Sequence, residues 1–161
     1  MATLTIRKYP DPVLRKKSQE VKEISNDIST LIYNMIETMD QDQAIGLSAP
    51  QVGESKRIIV INTKTGPKAL INPKIIFKGK KMDAIEEGCL SFPGLYLEVK
   101  RPIQVEIEAL NAKGEQVRIK AEGMGAKVIQ HEIDHLDAIL FIDRLGFWQK
   151  FKLRHILKKW Q

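Results

Sequence analysis

Two segments of this chain repeat hydrophobic residues at helical spacing. After Ser25, a residue type that often caps helix N-termini, the apolar positions are Ile28, Leu31, Ile32, Met35, Ile36 and Met39. In the second segment they are Ala126, Val128, Ile129, Ile133, Leu136, Ile139 and Leu140. Spacing of three and four residues is typical of a helix that buries one face. We therefore predict two helices that pack against a common core.

Short apolar or alternating segments between these helices, bounded by Gly, Pro and Asn, predict strands. They cover residues 57–62, 69–71, 74–77, 95–99 and 103–110. A further strand at 116–120 would pair with the preceding one through the turn at 111–114. We expect an α+β fold in which mostly antiparallel sheets pack around the second helix, as one compact domain over residues 1–161.

Composition agrees with a globular domain. The chain has 161 residues, of which 43% are hydrophobic, enough for a substantial core. Residues 1–8 lack the apolar stretch of a signal peptide, and no run of about 18 apolar residues could span a membrane. The single cysteine, Cys89, fits a reducing compartment. We therefore expect a cytoplasmic protein.

The C-terminal segment, residues 147–161, is strongly basic in a chain of formal net charge +6. It has no acidic residue, and its basic residues are Lys150, Lys152, Arg154, Lys158 and Lys159. Its apolar residues, at helical spacing, are Leu153, Ile156, Leu157 and Trp160. The pattern predicts an amphipathic helix whose charged face either binds RNA or is simply solvated surface.

The second predicted helix carries a metal-binding pattern. His131 and His135 are four residues apart, so both imidazoles project from one helix face and could bind one cation. Glu132 between them would stay free to transfer a proton. The alternative is a surface helix with two histidines by chance, but the apolar residues around them predict burial, and a buried histidine needs a polar partner.

A catalytic centre of this kind usually has a third protein ligand. Two familiar protease layouts fail, because no Glu follows Glu132 and because Phe141 stands where a third histidine would be needed. His155 lies among basic residues that would repel a divalent cation. Cys89 remains, beside Gly88, which permits close backbone approach, yet an isolated cysteine is equally often a small buried hydrophobe. The residues alone leave both interpretations of Cys89 open.

Three blocks of sequence resemble, in order, the motifs of the peptide deformylases, metallohydrolases that remove the formyl group from nascent bacterial-type proteins. The blocks are residues 45–51 (IGLSAPQ), 87–91 (EGCLS) and 130–135 (QHEIDH). The last two match without substitution, and with residues 9–14 (YPDPVL) the resemblance covers nearly the whole chain. It implies that Cys89 joins His131 and His135 as a metal ligand.

The chain departs from the family pattern at three positions. The first motif normally opens with Gly where this chain has Ala44, and it commonly has Ala where this chain has Ser48. Ala138 stands where the family often has Gly after the metal helix. If Ala44 needs a positive φ, it adds strain of about 1 kcal/mol and could reshape the substrate cleft. These departures leave open a divergent paralogue with a different N-acyl substrate.

The resemblance also implies an amide hydrolase that releases formate from N-terminal formylmethionine. A bound metal lowers the pKa of its water to roughly 7, so that hydroxide attacks the formyl carbonyl with Glu132 as general base and then acid. The Gln51 side-chain amide and the Leu90 backbone N–H would hold the oxyanion, each contributing about 3 kcal/mol. The implied metal is Fe(II), although nickel, cobalt or zinc also suit such ligands.

Substrate contacts follow from the same resemblance. Gly46 and Gly88 would bind the peptide backbone as an added strand. Candidates for an apolar methionine pocket, each of which could instead be a plain core residue, are Ile45, Ile85, Val128 and His131. Asp134 would orient a ligand histidine or cap a polar network. Arg101 would anchor a carboxylate near the cleft or sit at a solvated strand end.

Three classes of function compete. The first is a deformylase acting on N-formylmethionyl nascent peptides and docking on the ribosome through residues 147–161, with neither DNA nor a membrane as partner. The second is another metalloprotease, which would need a third ligand in a place where this chain has none. The third is a noncatalytic, metal-stabilised ribosome-binding module, which would have no need of Glu132 or Gln51. Retention of both residues favours an enzyme.

Overall fold

Three α-helices and seven strands form the α+β fold in the computed structural model, which describes residues 3–160. The helices are α1 (Asn26–Gln41), α2 (Gly123–Leu136) and α3 (Phe147–Leu157). The strands are β1 (Gly46–Ser48), β2 (Ile58–Thr63), β3 (Gly66–Lys78), β4 (Met82–Cys89), β5 (Phe92–Pro102), β6 (Gln104–Leu110) and β7 (Gln116–Glu122). Residues 1, 2 and 161 lie outside the described residues. The predictions for residues 1–8, for residues 147–161 and for one domain over residues 1–161 include them.

All strand pairs are antiparallel and form two sheets. The larger has the order β1-β2-β3-β6-β7, and the smaller consists of β4 and β5. Strand β2 is buried on both faces because its side chains alternate between two helices. Ile58 and Val60 pack with α1, whereas Ile59 and Ile61 pack with α2. The larger sheet is therefore sandwiched between these two helices.

The first helix confirms its prediction. Ser25 is the N-cap residue, and its Oγ accepts a hydrogen bond from the Ile28 N–H at 3.4 Å. The predicted apolar face is buried at Ile28, Ile32, Met35 and Met39. A cap at the start and a continuous apolar stripe are thus sufficient to place this element.

Three strand predictions need correction. Residues 69–71 and 74–77 belong to one strand, β3, whose register shifts between Ile71 and Lys74 and so hides its continuity in the sequence. Strand β1 was missed because it has only three residues. Strand β4 was missed because acidic residues and a glycine occupy many of its positions. The hairpin of β6 and β7 forms as predicted.

Helix α2 ends earlier than its apolar pattern indicates, because Ala138 adopts the left-handed conformation with φ 60°. The Ile139 N–H donates to the Asp134 carbonyl at 2.9 Å, and the Ala138 N–H donates to the His135 carbonyl at 3.2 Å. This pair of bonds is a Schellman motif, which satisfies the last carbonyls of a helix. Ile139 and Leu140 therefore lie beyond the helix.

The C-terminal helix packs on a third cluster, built on β5. Leu153 is buried there, and Leu157 and Trp160 pack against the same cluster. Ile156, predicted on the same stripe, is instead 47% exposed. The helix ends at Leu157, and a short 3₁₀ turn follows at Lys158–Trp160. Within residues 3–160, every helix is too short or too polar to cross a membrane.

Candidate metal centre and substrate cleft

Strand β4 faces helix α2 with a row of acidic and thiol side chains, and α2 presents a lysine and two histidines to them. Alternate residues of a strand share a face, and residues four apart share a helix face. Three pairs connect the two rows: Asp83 with Lys127 at 3.1 Å, Glu87 with His131 at 3.0 Å and Cys89 with His135 at 3.4 Å. The two periodicities therefore bring residues about 45 positions apart in the sequence into contact.

The innermost part of this row is a three-residue cluster. One ligand atom from each of Cys89, His131 and His135 lies within 4.8 Å of the others. Both histidines are buried, and their rings meet edge to face with centroids 5.0 Å apart. His131 donates from Nδ1 to the Glu87 carboxylate, which leaves Nε2 directed towards the cluster.

The electrostatics of the cluster suit a cation. Burial lowers the pKa of His131, but hydrogen bonds to Cys89 and Glu87 outweigh burial and raise it well above its usual value. Burial and the neighbouring His131 lower the pKa of His135 well below its usual value, so that this imidazole stays neutral. One thiol group and two imidazoles form a donor set that fits zinc, iron, nickel or cobalt.

Glu132 lies beside the cluster and points into a tight space. It is 4% exposed, and Oε2 has no hydrogen-bond partner among residues 3–160. Burial raises the pKa of Glu132 to about 7. A Cβ at Gly46 would come within 2.8 Å of Glu132 Oε1 and of Val128 Cγ1, so only glycine fits there. Gly46 thus lets strand β1 pass directly over the carboxylate.

Gln51 is held in one orientation by Ser48. The Ser48 backbone N–H and its hydroxyl both donate to Gln51 Oε1, each at 2.9 Å. Because Oε1 is fixed as the acceptor, Nε2 turns towards Cys89 Sγ and Ser91 Oγ, both at 3.4 Å. The departure from the family pattern at Ser48 therefore touches a predicted catalytic side chain directly.

A network of charged groups supports the cluster from behind. Arg101 is 3% exposed, so it does not lie at a solvated strand end, and it bonds to Glu87 and to Asp134. Asp134 also accepts from Arg144. Among the described hydrogen bonds, Asp134 contacts neither ligand histidine, so it caps a polar network instead of orienting one. Hydrogen bonds to His131 and Arg101 lower the pKa of Glu87 although burial opposes them.

Sequence reasoning missed Glu87 as a functional residue. Glu87 lies within the EGCLS motif, but no role was predicted for it, and Asp134 was expected either to orient a ligand histidine or to cap a polar network. The available signal was strand alternation, because Glu87 and Cys89 are two residues apart and share a face of β4. Arg144 and Lys127 were also missed, since neither lies in a recognisable motif.

A cleft of about 430 Å³ opens onto these residues. Its lining includes ten predicted residues: Ile45, Gly46, Gln51, Ile85, Gly88, Cys89, Leu90, Val128, His131 and Glu132. It also includes Lys127 and Tyr96, and a Cβ at Gly88 would come within 2.8 Å of the Tyr96 ring. Asp134, Arg101 and His135 do not line the cleft, and His155 is exposed on α3.

Ala44 does not have the positive φ that would make its missing glycine a source of strain. Among residues 3–160, the non-glycine residues with positive φ are Gln43, Asn72 and Ala138. Ala44 instead packs against the core under α1 and lines the cleft in an ordinary conformation. The missing glycine therefore costs no backbone strain at Ala44, whereas Ala138, where the family often has glycine, does adopt a positive φ.

Comparisons with known proteins agree on one family. The family model for polypeptide deformylase matches residues 3–151. The peptide deformylase of Halothermothrix orenii is 53% identical over 147 residues, which cover 90% of this chain and 95% of that protein. The crystal structure of peptide deformylase from Thermotoga maritima has a TM-score of 0.88 and 41% identity, covering 91% and 99% of the two chains. The Ehrlichia chaffeensis enzyme in complex with actinonin has a TM-score of 0.91 and 37% identity, covering 99% and 98%.

Proposed function

This chain is an enzyme that belongs to the polypeptide deformylase family, and we propose that it hydrolyses the formyl group from the N-terminal methionine of nascent polypeptides in the cytoplasm. The observation that carries the proposal is the convergence of Cys89, His131 and His135 beside the buried Glu132, where Cys89, His131 and Glu132 also line a cleft. Residues 1–161 act as one catalytic domain, with 147–161 as its basic end.

Cys89, His131 and His135 would hold one divalent metal, which we propose to be Fe(II), with nickel, cobalt or zinc as substitutes. When bound, the metal supplies a Lewis acid and lowers the pKa of water. Glu87 fixes the His131 ring by accepting from Nδ1 at 3.0 Å, and Arg101 fixes Glu87 in turn. These supporting contacts keep the ligand atoms in place as substrates come and go.

Glu132 moves the proton. A carboxyl group with a pKa of about 7 can accept a proton from water and return it to the leaving amine near neutral pH. Its unpartnered Oε2 is the atom that is free to do so. The Gln51 Nε2 and the Leu90 backbone N–H would hold the oxyanion that develops on the formyl oxygen. Ser48 prevents the Gln51 amide from turning its oxygen towards that charge.

The peptide would bind in extended form along β1. This strand lies at the edge of the larger sheet, and within residues 3–160 it pairs with β2 alone, so its other edge can accept a peptide strand. Gly46 and Gly88 line the cleft, and their backbone groups would pair with the peptide. Ile45, Ile85, Val128 and His131 would form the pocket for the methionine side chain.

A direct assay tests this function. Protein prepared without oxygen and loaded with iron or nickel should release formate from formyl-Met-Ala-Ser. Glu132→Gln should lower kcat by at least 100-fold, because it removes the proton carrier while keeping the shape of the side chain. Glu98→Gln, a change at an exposed residue of β5 that does not line the cleft, is the matched control and should keep full activity. A folded, metal-loaded protein that releases no formate would exclude the proposal.

Docking on the ribosome through α3 is a separate proposal. Lys150 and Lys152 are exposed, and so are the aromatic rings of Phe147, Trp148 and Phe151. Exposed cations next to aromatic rings suit contact with RNA phosphates and bases. Deleting the helix is a poor test, because it would also remove the buried Leu153.

Charge reversal is the better experiment. The double variant Lys150→Glu/Lys152→Glu should bind isolated ribosomes at least tenfold more weakly at low salt, with a reduced salt dependence. Lys64→Glu/Lys113→Glu makes the same change of charge at exposed sites in other parts of the surface and should bind like the parent. Equal ribosome affinity of the two double variants would contradict docking through α3.

A further inference from the structure

Lys127 is a buried cation in the wall of the substrate cleft. It lies on α2 one turn before His131, and its side chain is 2% exposed. It lines the cleft together with Ile85, Val128 and His131, the side chains that would enclose the methionine. The pocket is therefore bordered by a charged side chain as well as by apolar ones.

The ammonium of Lys127 is only partly satisfied. It has three N–H donors, and among residues 3–160 its one recorded partner is Asp83, at 3.1 Å from Oδ2. Asp83 itself is 55% exposed, so water can still reach that carboxylate. A buried ammonium with spare donors gains from any acceptor that a ligand brings close to it.

Methionine offers such an acceptor only weakly, because its thioether sulfur is a poor hydrogen-bond acceptor. Oxidation to methionine sulfoxide adds a polar oxygen at the same place and makes the side chain unsuited to an apolar pocket. Beside Lys127 that oxygen would accept a charge-assisted hydrogen bond. Lys127 thus changes which substrate side chains the pocket can bind.

We propose that Lys127 is a specificity residue that admits methionine sulfoxide, so that N-formyl peptides beginning with oxidised methionine are substrates alongside those beginning with methionine. The inference rests on the proposed deformylase activity and extends its range of substrates. The bond changes are the same: water adds to the formyl carbon, the C–N bond breaks, and formate and a free amine result. Asp83 competes with the substrate for the ammonium and limits this binding.

The test measures kcat/KM for formyl-Met-Ala-Ser and for each sulfoxide epimer of the same peptide, on one nickel-loaded preparation of each variant. The ratio of sulfoxide to methionine substrate cancels differences in metal content and in active fraction. Lys127→Met should lower this ratio about tenfold for at least one epimer, because the charged donor is gone. Asp83→Asn should raise it, because the ammonium is released from its carboxylate.

The ratio is expected to fall in Lys127→Met and to rise in Asp83→Asn, and these opposite changes distinguish a role in substrate recognition from a purely structural role. If the Asp83–Lys127 pair only clamps β4 to α2, both variants break the clamp and affect both substrates alike. An unchanged ratio in Lys127→Met, or a fall in both variants, would overturn the proposal. If the parent protein releases no formate from formyl-Met-Ala-Ser itself, the deformylase function fails as well. Formate release from that peptide with an unchanged ratio rejects the role of Lys127 alone.

Discussion

Ala138 is a residue in a conformation that suits glycine. Its φ of 60° places an L side chain in the left-handed region, which costs about 1–2 kcal/mol relative to glycine. Replacing Ala138 by glycine would relieve this strain, but the greater freedom of the unfolded chain would offset about 0.4–1 kcal/mol of the stability gained. We therefore predict that Ala138→Gly raises the free energy of unfolding by about 0.5–1 kcal/mol, measured by urea denaturation.

The control for Ala138 is Ala112, an exposed turn residue whose φ is not positive. Glycine there relieves no strain, so Ala112→Gly should lower the free energy of unfolding by about 0.4–1 kcal/mol. Opposite signs at the two alanines would identify backbone strain as the cause. If both variants are destabilised, the Schellman motif of α2 is not strained.

Ser48 is a second residue whose identity departs from the family pattern, and its effect should be kinetic. In Ser48→Ala, Gln51 Oε1 keeps the bond from the backbone N–H but loses the one from the hydroxyl. One neutral hydrogen bond is worth about 0.5–1.5 kcal/mol, so we predict a fall in kcat of about two- to tenfold with little change in KM. Steady-state assay of formate release would measure it, and an unchanged kcat at equal melting temperature would contradict it.

Element geometry explains which parts of the site the sequence could predict. Two histidines on one helix face follow from the period of α2, and Ser25 with its apolar stripe places α1. The contact of Glu87 with His131 depends instead on how β4 packs against α2, a long-range pairing that no local pattern records. The same reason hides Lys127, whose partner Asp83 is 44 positions away. Arg144 bonds to Asp134 only ten residues before it, but no recognisable motif joins the two.

The pairing of β4 with α2 leads to a prediction for metal affinity. Glu87 holds the ring of His131, and residues of this kind typically contribute 10–100-fold to metal binding. Glu87→Gln should therefore weaken nickel binding by about that factor, measured by competition with a chromogenic chelator without oxygen. Glu86→Gln alters the neighbouring residue on the exposed face of the strand and should bind nickel like the parent. Equal affinities in the two variants would show that Glu87 does not support the site.

At the scale of the whole molecule, the candidate metal centre joins two sheets. Cys89 comes from the two-stranded sheet, whereas His131 and His135 come from the helix that packs on the five-stranded sheet. Cys89 and His135 are 46 positions apart in the sequence, so an unfolded chain would not hold the ligand set together. A metal that binds only the folded chain stabilises the whole fold.

This coupling predicts how stability depends on metal. With free nickel at about 100 times its dissociation constant, the folded state should gain about 2.7 kcal/mol. For a chain of this size, that corresponds to a rise in melting temperature of roughly 5–11 °C over the chelator-treated protein. His131→Ala should lose most of the rise because it removes a ligand, whereas His155→Ala removes an exposed histidine on α3 and should keep it. Differential scanning calorimetry without oxygen would measure the melting temperatures. A rise of equal size in both variants would place the metal elsewhere in the molecule.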